Sequence, residues 1–138
     1  AGLFSTATDL SKFYQIFLDS RREDRNQLID KNIIKLFTDY NNVNENLYRG
    51  LGFDKPKPEY DIDKCTYSRY VSDASYGHSG YTGTFFWVDP EYNLIYIFLS
   101  NRVYDSRENR KIYDLNIRTN IHNLIYENLV EIEPDIYF

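Results

Sequence analysis

Two aromatic and β-branched runs, Gly83 to Asp89 ("GTFFWVD") and Leu94 to Asn101 ("LIYIFLSN"), are separated only by Pro90-Glu91-Tyr92-Asn93. Residues of these types fit a pleated, half-buried surface, and a short polar link between two such runs signals a hairpin. The chain is thereby committed to an antiparallel strand pair. The second run is nearly all apolar, which predicts a central strand covered on both faces.

Helices are available to cover it. Thr6 followed by Asp9 reads as a capping box, with Asp in place of the usual Glu. Leu10, Phe13 and Phe17 then recur at helical spacing, and Tyr14 and Leu18 widen the stripe. Asp30 can cap a second, short helix carrying Ile33, Ile34 and Phe37 on one face. "LYRGLGFD" reads as a strand with two glycines, and the prolines of "KPKPEYDIDK" return the chain to loop. A long terminal helix is predicted from about Asn109, with Ile112, Leu115, His122, Ile125 and Leu129 along its stripe. Ile117, Ile121 and Leu124 broaden its buried face, and His122 is read as a packed or edge residue. Helices grouped around an antiparallel hairpin define an α+β fold: an antiparallel β-sheet flanked by N- and C-terminal helices, built as one domain over residues 1–138.

Charge narrows the partners. Sixteen basic against 21 acidic residues give a net charge of −5, which argues against nucleic acid because phosphate binding needs a positive patch. Basic clusters such as Arg107 to Lys111 are interleaved with acids and read as solvated faces. Cys65 is the sole cysteine, so an internal disulfide and a cysteine-based zinc site are excluded. No apolar run approaches the length of a membrane span.

Gly77 to Trp87, "GHSGYTGTFFW", interrupts the strand pattern with glycines around one of only two histidines. Spacing leaves two readings open. The glycines could form bulges or relieve twist, with His78 an ordinary edge residue. Alternatively, Gly80 and Gly83 let another molecule approach the strand and expose backbone N–H groups, which an oxyanion site needs. Trp87, on the strand that follows, reads as core.

"GHSGYTGTFFWVDPEYNLIYIFLSNRVY" resembles the final strand pair of the serine β-lactamase and penicillin-binding-protein superfamily. His78-Ser79-Gly80 stands where that superfamily has a Lys-Thr-Gly or His-Thr-Gly triplet. Tyr81-Thr82-Gly83, Pro90 and Leu99-Ser100-Asn101 continue in the family's order. "AGLFSTATDLSKF" is similar to the family's "AGGLxSTAxDLAxF" helix, and "YRGLGF" to its "YGLGF" strand. The likeness is closest to β-lactamase-related esterases and DD-peptidases, some of them fused behind a β-N-acetylglucosaminidase.

The resemblance implies acyl-serine chemistry without metal or cofactor, on a small or peptidoglycan-like substrate. It implies that His78 adjusts the electrostatics of the site and that Ser79 hydrogen-bonds substrate. It further implies that Gly80 keeps the strand open, that the Tyr81 N–H is an oxyanion donor, and that Thr82 and Gly83 support the wall. The family's nucleophile comes from Ser-x-x-Lys, and no serine of the 138 residues has Lys three positions on. Tyr40-Asn41-Asn42 fits the bare Tyr-x-Asn pattern but follows the first helix, in a polar loop, and is set aside. The expectation is therefore a C-terminal portion of a larger hydrolase, inactive alone and prone to self-association through apolar surface that the rest would cover. The alternative is a non-catalytic binding module attached to a glycosidase.

Overall fold

The computed structural model describes residues 3–19, 28–40 and 48–130 and folds the two runs into the expected hairpin. Strand β2 (Phe85–Asp89) pairs antiparallel with β3 (Leu94–Phe98), and β1 (Tyr76–Ser79) pairs antiparallel with β2 on its other side. The sheet order is β1-β2-β3. Asn93, at φ 50°, closes the β2–β3 turn in the left-handed region that Asn tolerates. Helix α1 (Ala7–Asp19) and helix α2 (Lys31–Thr38) precede the sheet; α3 (Lys111–Asp114) and α4 (Ile117–Val130) follow it. The α+β expectation is met.

Alternation along the strands sends side chains to two separate cores. Phe86, Val88, Ile95 and Ile97 face α1, where they meet Tyr14, Phe17 and Leu18. Phe85, Trp87, Tyr96 and Phe98 face the opposite way, against Cys65, Tyr67 and Ile125. Tyr14 stacks on Phe86 at 4.1 Å and Tyr67 on Trp87 at 4.5 Å, so aromatic pairs rivet both layers. Trp87 is core, as read. Strand β3 is covered on both faces but is not central: among the described residues no strand pairs with its outer edge.

The caps are where the sequence puts them. The Thr6 hydroxyl accepts from the Asp9 N–H at 3.1 Å and donates to the Asp9 carboxylate at 3.0 Å. Asp30 accepts from the Asn32 N–H at 2.7 Å. The helix faces are shifted. Helix α1 buries Tyr14, Phe17 and Leu18 while Phe13 is half exposed, and α2 buries Ile34 and Thr38 while Ile33 and Phe37 face water.

Two further expectations need correction. Within "LYRGLGFD", the described residues 48–54 do not form a regular strand. They make a tight turn closed by Gly50 N–H to Phe53 C=O, and among the described residues it joins β1 through the Asp54–Gly77 bridge. The terminal helix is broken: α3 stops at Asp114, and Asn116 at φ 48° turns the chain before α4 begins. The inner face of α4 is Arg118, Thr119, His122, Asn123 and Tyr126, whereas Leu124 and Leu129 are exposed. His122 is packed, as read.

Gly77 answers part of the glycine question. It pairs with Trp87 across the sheet, and a Cβ there would stand 2.2 Å from the Phe86 carbonyl oxygen and 2.3 Å from Trp87 Cε3. Backbone oxygen cannot move aside cheaply. Gly77→Ala is expected to cost about 1–3 kcal/mol or more through overpacking, read as a lower urea midpoint with altered Trp87 fluorescence. An unchanged midpoint would show that the indole has room after all.

Candidate functional site

Strand alternation separates the first two residues of the triplet. His78 pairs with Phe86 and faces the α1 side, where it lines a groove of about 610 Å³ with Gly80, Thr84, Tyr14 and Leu99. Leu3 and Phe4, both largely exposed, stand over the same groove. Burial pushes the Tyr14 phenol up to about 12, so it stays protonated in the groove wall at neutral pH. Ser79 lies on the other face. It borders a hollow of about 300 Å³ lined by Arg49, Lys55, Lys57 and Lys64, with Asp54 as the one acid among the described residues that line it. His78 and Ser79 therefore do not converge on one point.

Gly80 donates its N–H to the Thr84 carbonyl at 2.7 Å and receives the Gly83 N–H at 2.9 Å on its own carbonyl. A Cβ at Gly80 would meet Thr84 Oγ1 at 2.4 Å, so the missing side chain makes room for the threonine hydroxyl. Gly83 has φ 93° and follows the turn, the arrangement of a three-residue hairpin loop ending in a left-handed residue. A Cβ on Gly83 would stand 2.6 Å from Ser100 Oγ and 2.9 Å from Ile112 Cδ1. Its identity follows from loop geometry and packing rather than from open space. Between the two glycines, the Tyr81 ring is exposed, and neither the Tyr81 nor the Thr82 N–H donates a hydrogen bond among the described residues.

Among the described residues the groove holds hydroxyls but no activated nucleophile. Ser5 and Ser100 border it; Ser5 donates to the Thr6 carbonyl and Ser100 to the Thr82 carbonyl, neither to His78. A nucleophilic serine needs its base within hydrogen-bond reach. Cys65 is buried and donates its thiol to Tyr67 Oη at 3.4 Å, far from this role. Asn41 and Asn42 of the Tyr-x-Asn match lie outside the described residues. Among the described residues no group of three His, Cys, Asp or Glu could hold a metal ion, and no helix is long and apolar enough to cross a membrane.

Sequence reasoning missed Thr84, which shares the groove with His78, and Arg102 and Arg118, whose guanidinium groups hold carbonyls of the 81–83 loop. A basic residue directly after "LSN" was the only available signal for Arg102. Arg118 lay within a helical pattern that gave it no distinction.

The family description Beta-lactamase matches residues 1–119. An N-acetylmuramyl-L-alanine amidase of Bacillus subtilis (strain 168) is 30% identical over 118 residues, covering 83% of this chain and 26% of the relative. A putative D-alanyl-D-alanine carboxypeptidase of Escherichia coli (strain K12) is 29% identical over 118 residues, with the same coverage. The chain thus spans about a quarter of the length of these relatives. A crystal structure of a beta-lactamase from Mycobacterium bovis superposes with a TM-score of 0.66 at 20% identity, covering 91% of this chain and 44% of that one. That likeness establishes the fold.

Proposed function

The chain belongs to the beta-lactamase family, and from that premise we propose that it forms the substrate-side wall of an acyl-serine hydrolase site. The observation that carries the reading is His78 in the groove wall beside a hairpin loop whose Tyr81 N–H has no partner among the described residues. An imidazole can serve the proton traffic of acyl transfer, and a partner-free amide can receive the negative charge that develops on a carbonyl oxygen. The substrate class is an amide, lactam or ester of peptidoglycan type, in keeping with relatives named as an amidase and a carboxypeptidase. The attacking serine and its lysine are supplied by polypeptide other than these 138 residues, which contain no Ser-x-x-Lys. Ser79 and its cationic hollow lie behind the wall and take the supporting role; Gly80, Thr82 and Gly83 shape the loop.

A fluorescent penicillin and a D-alanyl-D-alanine peptide test this directly. The 138-residue chain alone is expected to take up no label and release no D-alanine. The longer protein that carries it should form the acyl-enzyme, and His78→Ala there should lower kcat/KM by roughly 10²-fold or more. A longer protein without Ser-x-x-Lys and without acylation would overturn the hydrolase reading in favour of a non-catalytic module beside a glycosidase.

A further inference from the structure

The hairpin loop between β1 and β2 is gripped through its carbonyls. Gly83 N–H donates to the Gly80 carbonyl at 2.9 Å. In a trans peptide the C=O and N–H of one plane point in opposite directions, so turning the Gly80 carbonyl inward aims the Tyr81 N–H outward. The carbonyls that follow are also engaged. Arg102 Nε donates to Tyr81 O at 2.9 Å; the Arg102 N–H at 2.9 Å and the Ser100 hydroxyl at 3.2 Å donate to Thr82 O; Arg118 Nη1 donates to Gly83 O at 3.2 Å.

Arg102 is held from behind as well. Its Nη1 donates to the Arg107 and Asn109 carbonyls at 3.1 and 3.0 Å, and its Nε also reaches Tyr113 Oη at 3.0 Å. The guanidinium lies over the Tyr81 and Tyr113 rings, 4.8 and 5.1 Å from their centroids. Among the described residues it pairs with no carboxylate; its donor fork is directed at backbone carbonyls on both sides. A lysine, a compact point charge on a flexible stem, cannot hold both sets at once.

We propose that Arg102 is the positioning residue of the oxyanion site: by holding the Tyr81 carbonyl it keeps the turn in which the Gly83 N–H reaches the Gly80 carbonyl, and that bond sets the Gly80–Tyr81 peptide plane with the Tyr81 N–H outward. This rests on the hydrolase reading above. Were the loop to rotate, a carbonyl oxygen would stand where the amide should be, and its lone pairs would repel the developing oxyanion. Arg118 acts on the same loop, but it is buried against Phe85 and Tyr113, so its removal would unsettle the core. Arg102, at the rim, is the informative position.

The test uses the full protein and two readouts. Arg102→Ala should lower kcat by roughly 10²-fold with KM changed less than about threefold, and guanidinium ion at tens of millimolar should restore about tenfold of the loss. Arg102→Lys should remain impaired. Amide hydrogen exchange at Gly83 should quicken by about tenfold or more in Arg102→Ala, with exchange at Trp87 and Tyr126 unchanged. Wild-type kcat together with unchanged Gly83 exchange would overturn the assignment. If the wild-type protein forms no acyl-enzyme, the hydrolase reading falls and takes the catalytic consequence with it. The exchange arm then still decides whether Arg102 sets the loop.

Discussion

Replacing Asp89 with Ala is expected to lower stability by about 3–5 kcal/mol, enough to unfold a domain of ordinary marginal stability. Asp89 is fully buried at the end of β2, and no Lys or Arg among the described residues pairs with it. Its carboxylate instead accepts from Ser72 N–H at 2.8 Å, Ser72 Oγ at 2.6 Å, Glu91 N–H at 3.1 Å and Tyr126 Oη at 2.5 Å. One side chain thereby joins the loop before β1, the β2–β3 turn and helix α4. Burial first, then the Asp89 carboxylate, holds the Tyr126 phenol well above its ordinary pKa, so its proton stays in place to donate. Removing the carboxylate strands buried donors, which is why the loss exceeds that of one hydrogen bond.

Tyr126→Phe removes a single donor and should cost only about 1–2 kcal/mol. Combining the two changes should cost less than their sum, because the stranded hydroxyl goes with the ring's oxygen. Urea midpoints for the two single variants and the double variant measure this. An unfolding free energy for Asp89→Ala within about 1 kcal/mol of wild type would mean that water reaches the site and the network is not what ties these elements together.

The same carboxylate illustrates what a local reading could and could not see. The hairpin, both helix caps and the burial of Trp87 depend on residues close in sequence, and each was legible from spacing. Helix α4 was not. Its apolar residues suggested a face through Leu124 and Leu129, yet the buried face is polar. The loop that α4 covers has backbone groups needing partners. Ser68 N–H donates to His122 Nδ1, Arg69 N–H donates to Asn123 Oδ1, and Thr119 Oγ1 donates to the Cys65 carbonyl. Those demands come from a segment some fifty positions away, so no periodicity on the helix records them. The candidate site divides similarly. His78 and Gly80 stand on the groove, whereas Ser79, expected to hydrogen-bond substrate beside them, takes the opposite face of the strand. The carbonyl grip of Arg102 on the hairpin loop arises only once β3 and the loop are neighbours.

His122 carries the second large effect, on acid stability. The imidazole is fully buried, stacked on Tyr96 at 4.5 Å and bordered by Phe85 and Tyr126 at 6.0 and 5.2 Å. Its Nδ1 accepts from Ser68 N–H at 3.1 Å, which assigns the proton of the neutral ring to Nε2. Burial among aromatic rings pushes its pKa from 6.5 down to about 3. The unfolded chain therefore binds this proton before the folded one does. Stability is fully present above about pH 6.5 and falls as pH drops toward 3, by roughly 1.4 kcal/mol per pH unit. Between pH 6.5 and 5 most carboxylates remain ionised, and comparing wild type with a His122 variant isolates this imidazole in that window. His122→Asn keeps an acceptor near the Nδ1 position and should be less stable at pH 8, through the lost ring. Its urea midpoint should nevertheless vary less between pH 6.5 and 5 than that of wild type, by the free energy of one proton. Parallel pH profiles for the two proteins would mean that the folded state accommodates the charged ring, and the assignment of acid sensitivity to His122 would fail.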